Sequence, residues 1–207
     1  MKLPIPTFTS IIILLLAVAC QNGAGIAKKD YQNLPTRGES GINVVIEIPA
    51  GTNHKIEYQK EAQRFENDQI NGEDRVIRFL PYPGNYGFIP STFMDPARGG
   101  DGDALDILVV SESIPTGTVV ETKPIACLLL RDQGELDTKI IAVPADSSLQ
   151  TIPIENFQDF LIHHDAAKRI IEEWFLHYKG PGVMEMMRWE DDVYARREIE
   201  KWSLEVQ

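Results

Sequence analysis

Three aspartates stand before and inside an apolar run in the stretch GGDGDALDILVV, residues 99–110. An isolated carboxylate is costly to remove from water, so it normally stays solvated, pairs with a cation or takes up a proton. Strand alternation sends Asp106 and Leu108 to one face and Ile107 and Val109 to the other, and both faces are otherwise apolar. Asp106 is therefore predicted to begin a strand that is covered on both sides.

Asp101 and Asp103 flank Gly102, which permits a tight backbone turn. Such a turn brings three carboxylates together at the start of the strand, where they would suit a hard divalent cation. The alternative is that GGDGD is only a solvated turn, since Gly and Asp are common turn residues. An EF-hand loop starting at Asp101 is excluded, because its sixth position must be Gly and here is Asp106.

Other polar residues interrupt the apolar segments along the rest of the chain. Acids among them could hold metal ions, and the cations and tyrosines could hold phosphate oxygens. These residues are Glu47, Lys55, Glu57, Arg75, Tyr82, Tyr86, Asp132, Asp137, Lys139, Tyr178 and Lys179. Each alone has a simpler explanation as a surface pair, a turn residue or a solvated tyrosine. Together they indicate phosphoryl chemistry.

The elements that must position these residues are mostly short strands. Apolar or alternating segments, including DRVIRFL at residues 74–80, are separated by Pro- and Gly-rich turns without helical crossovers. This pattern favours a small barrel over a parallel α/β sheet. A helical period follows at residues 166–180, and a second, more charged helix is predicted over residues 191–205. The apolar stripe of the first helix is Ile170, Ile171, Trp174, Phe175 and Tyr178.

Length and charge limit the possible functions. A chain of 207 residues with 43% hydrophobic residues is long enough for one domain with a substantial core. It has 20 Lys and Arg against 31 Asp and Glu, a net charge of -11. That charge argues against a nucleic-acid surface and fits a protein that collects cations.

The N-terminus contains the apolar segment IIILLLAVAC at residues 11–20. Its length suits a signal peptide and is too short to span a bilayer. The small residues Ala17 and Ala19 precede Cys20, an arrangement that resembles the lipobox of bacterial lipoproteins, although Leu is more usual at the position of Ala17. Plain secretion is the alternative.

The predicted organisation has three parts. Residues 1–19 form a signal peptide, residues 20–40 comprise the lipid-attachment Cys20 and a polar, flexible tether, and residues 41–207 form the folded domain. The protein is expected to be exported and anchored by lipid at the periplasmic side or the cell surface.

The order of the motifs resembles the soluble family I inorganic pyrophosphatases. VVIEIPA is followed by KIE, PGNYGFIP, DGDALDILV, an Asp-x4-Asp-x-Lys pattern leading into IIAVP, and HYK. The resemblance runs from about Gly41 to Lys179, and the DxDxxD element with its downstream Asp and Lys is highly specific. It implies a mainly β fold with helices, an OB-like five-stranded β-barrel with flanking C-terminal helices, and Mg²⁺-dependent hydrolysis of pyrophosphate to two phosphates.

The resemblance also implies roles for the matching residues. Asp103 would be the catalytic general base on a metal-activated water, at a site that takes several Mg²⁺ ions. The metal-binding set would be Asp101, Asp106, Asp132 and Asp137, with Glu47 and Glu57 holding further metal or its waters. The substrate-binding set would be Lys55, Arg75, Tyr82, Tyr86, Lys139, Tyr178 and Lys179. Arg78 competes with Arg75, because the spacing from Arg75 to Tyr86 is one residue short of the family pattern.

The resemblance implies pyrophosphate as the substrate, the charge argues against nucleic acid, and the N-terminal segment predicts membrane contact only through the lipid anchor. A homo-oligomer is also expected, with the helix that contains WFLHYK as a possible interface, although the core needs the same apolar stripe. The alternative function is that of an exported, non-catalytic phosphate- or metal-binding protein on the same barrel.

Overall fold

The computed structural model describes residues 29–204. The predicted signal peptide and Cys20 lie outside the described residues. Within residues 29–204, no helix combines the length and the apolar character needed to cross a membrane.

The described chain is mostly β-structure, followed by helices. The strands are β1 (Ile42–Ile48), β2 (Ile56–Gln59), β3 (Arg64–Asn67), β4 (Gln69–Ile70), β5 (Glu73–Asp74), β6 (Asn85–Phe88), β7 (Asp106–Val109), β8 (Val119–Asp132), β9 (Glu135–Pro144) and β10 (Met184–Asp191). The helices are α1 (Phe157–His163), α2 (Asp165–His177) and α3 (Asp192–Trp202).

Five strands close into a ring, in the order β1, β6, β7, β9 and β8, with β8 pairing back to β1. Only β7 and β9 are parallel within this ring. Strand β10, which the sequence pattern did not indicate, pairs with residues 126–132 of β8 on the edge opposite β9. The ring with its flanking helices confirms the predicted mainly β architecture.

Side chains of β7 alternate between two apolar clusters. Leu108 belongs to the cluster that contains Trp174 of α2, whereas Ile107 and Val109 belong to the cluster that contains Trp202 of α3. All three β7 side chains are fully buried. Burial of each such side chain stabilises the fold by about 1.5–3 kcal/mol. The predicted two-sided strand after Asp106 is therefore confirmed.

Strands β1 and β6 pack too closely for a side chain at Gly87. A Cβ atom there would lie 1.9 Å from the carbonyl oxygen of Val45. Gly87 therefore permits the pairing of β1 with β6, which holds Tyr86 in the ring.

The prediction of a strand over residues 74–80 is wrong. Strand β5 ends at Asp74, and beyond it Val76 makes only an isolated bridge with His54. Ile77 is buried, whereas Phe79 and Leu80 are exposed. The segment therefore packs one side chain against the core but does not pair as a strand.

The predicted helices are present, but their buried faces differ in part from the prediction. Ile171, Trp174 and Phe175 are buried in α2, whereas Ile170 is 61% exposed. The buried stripe of this helix is therefore narrower than the predicted one. Helix α3 packs more deeply than its charge suggests, with Ala195, Ile199 and Trp202 buried on one face.

The predicted flexible tether does not extend to residue 40. The side chain of Thr36 is buried, and its hydroxyl donates to the carbonyl oxygen of Pro90 at 2.9 Å. Tyr31 packs against Tyr58 of β2. These contacts fix residues 29–40 on the domain, because local polarity does not prevent a segment from burying isolated aromatic and hydroxyl groups.

Candidate active site

An open cleft of about 320 Å³ lies between the ring and residues 55–75, which contain the β2–β3 and β4–β5 hairpins and end at Arg75. Residues 55–75 are called the ribbon below. Almost every residue of the predicted site lines it. These residues are Glu47, Lys55, Glu57, Arg75, Tyr86, Asp101, Asp103, Asp106, Asp132, Asp137, Lys139, Tyr178 and Lys179. The fold thus brings together residues that are far apart in the sequence.

The ring side of the cleft is organised around Lys139. Parallel pairing of β7 with β9 places Asp106 directly beside Lys139, and Asp137 lies two residues before it on the same face of β9. The Lys139 side chain is only 4% exposed, and its ammonium contacts Asp106 and, at 2.6 Å, Asp137. Burial alone would lower the pKa of Lys139, but the two carboxylates raise it well above its ordinary value. Lys139 is the cationic partner that the sequence around Asp106 lacks.

Tyr86 of β6 completes this part of the ring. The Lys139 ammonium donates to the Tyr86 hydroxyl at 2.8 Å, and burial raises the pKa of Tyr86 well above its usual value. The phenol therefore stays protonated and can donate to an anion. Tyr82 does not line the cleft, in contrast to the prediction. It is 4% exposed and packs beneath Tyr86 and against Trp174, with ring centroids 5.5 and 4.4 Å away.

Asp101 and Asp103 project from the turn before β7. Gly102 has a φ of 91°, which glycine adopts at little cost, and the Asp103 amide donates to Asp101 Oδ1 at 3.0 Å. Burial, together with the charge of Asp106, raises the pKa of both carboxyls. The predicted turn is confirmed, and its two carboxylates form one acidic edge of the cleft.

Asp132 and Lys179 meet at another edge of the cleft. Asp132 ends β8, Lys179 follows α2, and the two side chains form an ion pair. Tyr178 stacks on Trp174 with a centroid distance of 4.7 Å, which fixes the end of the helix. Asp132 Oδ1 is buried and accepts no hydrogen bond from any described residue, so this cleft-lining carboxylate keeps one unsatisfied acceptor.

The opposite wall carries Lys55 and Arg75, which a cycle of three backbone hydrogen bonds holds together with Asp68. The Lys55 amide donates to the Arg75 carbonyl, Asp68 to Lys55, and Arg75 to Asp68, at 3.0, 2.7 and 2.7 Å. Asp68 Oδ2 lies 3.0 Å from Arg75 Nη1 and 3.9 Å from Lys55 Nζ. Arg78 is exposed and does not line the cleft, so the geometry favours Arg75 over its competitor.

Glu47 joins the two walls. It lies on β1 of the ring, and its Oε1 accepts a hydrogen bond of 2.7 Å from the Tyr58 amide of the ribbon. Burial raises the pKa of Glu47 to about 8, and the charge of Asp106 contributes in the same direction. On the ribbon itself, the Lys55 ammonium contacts the Glu57 carboxylate.

Three residues of the site escaped the sequence analysis. Glu135 lines the cleft and shares a strand face with Asp137 and Lys139, so the same alternation would have identified it. Gln32 and Asp68 had no such signal. Gln32 lies in a segment without hydrophobic period, and Asp68 reaches the cations through a turn between two short hairpins.

The donor chemistry of the cleft fits a hard cation, because it offers several carboxylates and the unsatisfied Asp132 Oδ1. Among residues 29–204, however, no three acidic, histidine or cysteine side chains lie close enough to hold one ion as placed. The Lys139 ammonium occupies the space between Asp106 and Asp137. Assembly of the predicted ligand set therefore requires side-chain movement.

Comparison with known proteins agrees with this cleft. The sequence profile of the family described as inorganic pyrophosphatase matches residues 44–207. The inorganic pyrophosphatase of Neisseria meningitidis is 35% identical over 185 residues, covering 84% of this chain and 97% of that protein. That of Saccharolobus solfataricus is 40% identical over 140 residues, covering 67% and 74%.

Solved structures show the same similarity. An inorganic pyrophosphatase from Neisseria gonorrhoeae superimposes with a TM-score of 0.69 at 34% identity, covering 84% of this chain and 97% of that one. A type I inorganic pyrophosphatase from Toxoplasma gondii gives a TM-score of 0.74 at 28% identity, covering 84% of each chain. On the sequence profile, the relatives and the fold together, the chain belongs to the family I inorganic pyrophosphatases.

Proposed function

We propose that this protein hydrolyses pyrophosphate to two phosphates in the cleft between the ring and the ribbon, with Mg²⁺ bound by the acidic residues. The observation that carries the proposal is the distribution of charge in one cleft. Cations on the ribbon face acids and a buried lysine on the ring. A polyanionic substrate and its counter-ions would fit between these walls.

The cationic and phenolic groups would bind the phosphates. Lys55 and Arg75 approach from the ribbon, while Lys139, Tyr86 and Lys179 approach from the ring side. Arginine can donate two parallel hydrogen bonds to one phosphate, and lysine supplies a compact charge. Such groups stabilise charge on a departing phosphate, because they are already cationic near neutral pH.

The carboxylates would hold the metal ions. Asp101, Asp106, Asp132 and Asp137 are the main proposed ligands, with Glu47 and Glu57 holding further metal or its waters. When bound, Mg²⁺ neutralises phosphate charge and lowers the pKa of water. If Asp106 and Asp137 turned from Lys139 to hold the ion, the ammonium would be free to bind a phosphate oxygen.

Asp103 is the proposed general base. It stands at the cleft edge on the turn that Gly102 permits, without an ion-pair partner among the described residues. Burial raises the pKa of Asp103 toward neutral pH, and a more basic carboxylate accepts a proton from the attacking water more readily.

Phosphate release from pyrophosphate by the purified protein tests this function. We expect release that requires Mg²⁺, stops on chelation and is absent from Asp106→Ala. Binding of pyrophosphate without turnover would instead support the non-catalytic binding protein. Failure of both would end the proposal.

We also propose that residues 1–19 are a signal peptide and that Cys20 is lipidated after export, which places the domain on the periplasmic side or at the cell surface. The apolar segment at residues 11–20 and the small residues before Cys20 support this proposal. Labelling with a fatty-acid analogue should mark the membrane fraction of the wild type and not of Cys20→Ser. Soluble secreted wild type without label would favour plain secretion.

We further propose that the domain forms a homo-oligomer. Light scattering of the purified domain should give a mass that is a multiple of the single chain, and a monomer at micromolar concentration would contradict this.

A further inference from the structure

Residues 29–36, called the strap below, are fixed to the ring in their central part. The Ser91 amide donates to the Gln32 carbonyl at 2.7 Å, and the Ser91 hydroxyl donates to the Leu34 carbonyl at 2.8 Å. Ser91 lies just after β6, with a left-handed φ of 50°. The strap is therefore anchored to the same part of the ring that carries Tyr86.

The other end of the strap contacts the ribbon. The Tyr31 ring lies 5.3 Å from the Tyr58 ring of β2 and 5.0 Å from the Phe65 ring of β3. The Tyr58 hydroxyl donates to the Lys29 carbonyl at 2.9 Å. Edge-to-face contacts of this kind add stabilisation beyond the area they bury.

The ribbon needs such a contact, because its strands pair only with each other in the described chain and not with the ring. Its side-chain attachments to the ring include the Tyr58 amide bond to Glu47 and the packing of Tyr58 near Phe88, with centroids 6.2 Å apart. Lys55 and Glu57 lie within three residues of Tyr58. Their position thus depends on how firmly Tyr58 is held.

We propose that Tyr31 is a positioning residue that clamps the ribbon against the ring, so that Lys55 and Glu57 face the acids of β7 and β9. This inference rests on the proposed function. It makes the N-terminal strap a part of the active site, and Gln32, the next residue, lines the cleft directly.

The test compares substitutions at Tyr31 with a matched aromatic elsewhere. Tyr31→Ala removes the ring contacts and should lower kcat/KM for pyrophosphate about tenfold, since small displacements of substrate-binding groups have large effects. Tyr31→Phe keeps the ring and should restore most of that loss, with Tyr31→Leu intermediate. Tyr194→Ala removes a partly buried aromatic side chain that packs against the apolar cluster containing Trp202. This variant should leave kcat/KM within about twofold of wild type.

Two further readouts separate positioning from general destabilisation. Amide hydrogen exchange in Tyr31→Ala should quicken in residues 55–67 and not in β8 or β9. In a Lys55→Gln background, Tyr31→Ala should lower kcat/KM by less than it does alone, because both changes act through the same side chain.

Each outcome decides a specific point. Unchanged activity in a folded Tyr31→Ala, or faster exchange over the whole domain, would overturn the clamp. If wild type released no phosphate, the proposed function would fail, while exchange confined to the ribbon would still show that Tyr31 holds it.

Discussion

The two walls of the cleft are built in different ways. On the ring, Asp106, Asp137 and Lys139 are placed by strand register inside a closed sheet, and Lys139 is almost fully buried. On the ribbon, Lys55 and Arg75 remain about one quarter exposed and are held by a backbone cycle, one carboxylate and aromatic packing. This difference indicates that the ring fixes the backbone from which its charged side chains extend, whereas the ribbon is the wall whose backbone can adjust to a ligand.

The largest expected effect comes from the ring wall. Asp106→Ala removes a proposed metal ligand and one of the two carboxylates on buried Lys139, so we expect a loss in phosphate release of about 1,000-fold or more. Glu47→Gln should lose far less. Steady-state assays with Mg²⁺ compare the two, and near wild-type hydrolysis by Asp106→Ala would show that the metal assignment is wrong.

The largest effect on the ribbon is expected for Arg75. Arg75→Gln removes a guanidinium that lines the cleft, and kcat/KM should fall about 100-fold. Arg78→Gln is the matched control, because Arg78 is exposed outside the cleft, and it should change kcat/KM less than about twofold. The reverse ranking would assign the phosphate contact to Arg78.

A smaller effect is expected for Asp68, which orients both ribbon cations. Asp68→Asn should raise KM about 3- to 10-fold, because the cations lose their fixed orientation. Asp74→Asn is the control on the same wall of the cleft, since Asp74 contacts Asn67 and Gln69 and not the cations. A lower KM for Asp68→Asn would mean that the removed negative charge outweighs orientation.

The sequence predicted the ring wall more fully than the ribbon. Alternation identified the strand after Asp106, and the motif identified Asp137 and Lys139, because register in a buried sheet follows directly from residue pattern. Asp68 was missed, and residues 74–80 were mistaken for a strand, because short hairpins outside a sheet are held by side-chain and turn contacts. The packing of Tyr31 likewise depends on partners distant in sequence.

The smallest expected effect concerns Glu47, where the two walls meet. Its pKa is raised from 4.5 in the unfolded chain to about 8 in the folded protein, so the folded state binds the proton more tightly. The stability this provides is present at low pH and is lost as the pH rises through about 8. Between pH 6 and 9, with EDTA present, the free energy of unfolding should fall by about 2 kcal/mol.

Urea unfolding at the two pH values measures this change. Glu47→Gln keeps the acceptor for the Tyr58 amide and cannot ionise, so its stability should decline less over the same range. An equal decline in both proteins would remove Glu47 as the cause.

The most direct test of the account is a crystal structure with Mg²⁺ and imidodiphosphate, the analogue of pyrophosphate with a bridging NH. We expect the anion between Lys55 and Arg75 on the ribbon and Lys139 on the ring, with Asp101, Asp106 and Asp137 turned onto a shared ion. An anion bound elsewhere, or Asp106 and Asp137 still closed on Lys139 with no ion between the acids, would contradict the account.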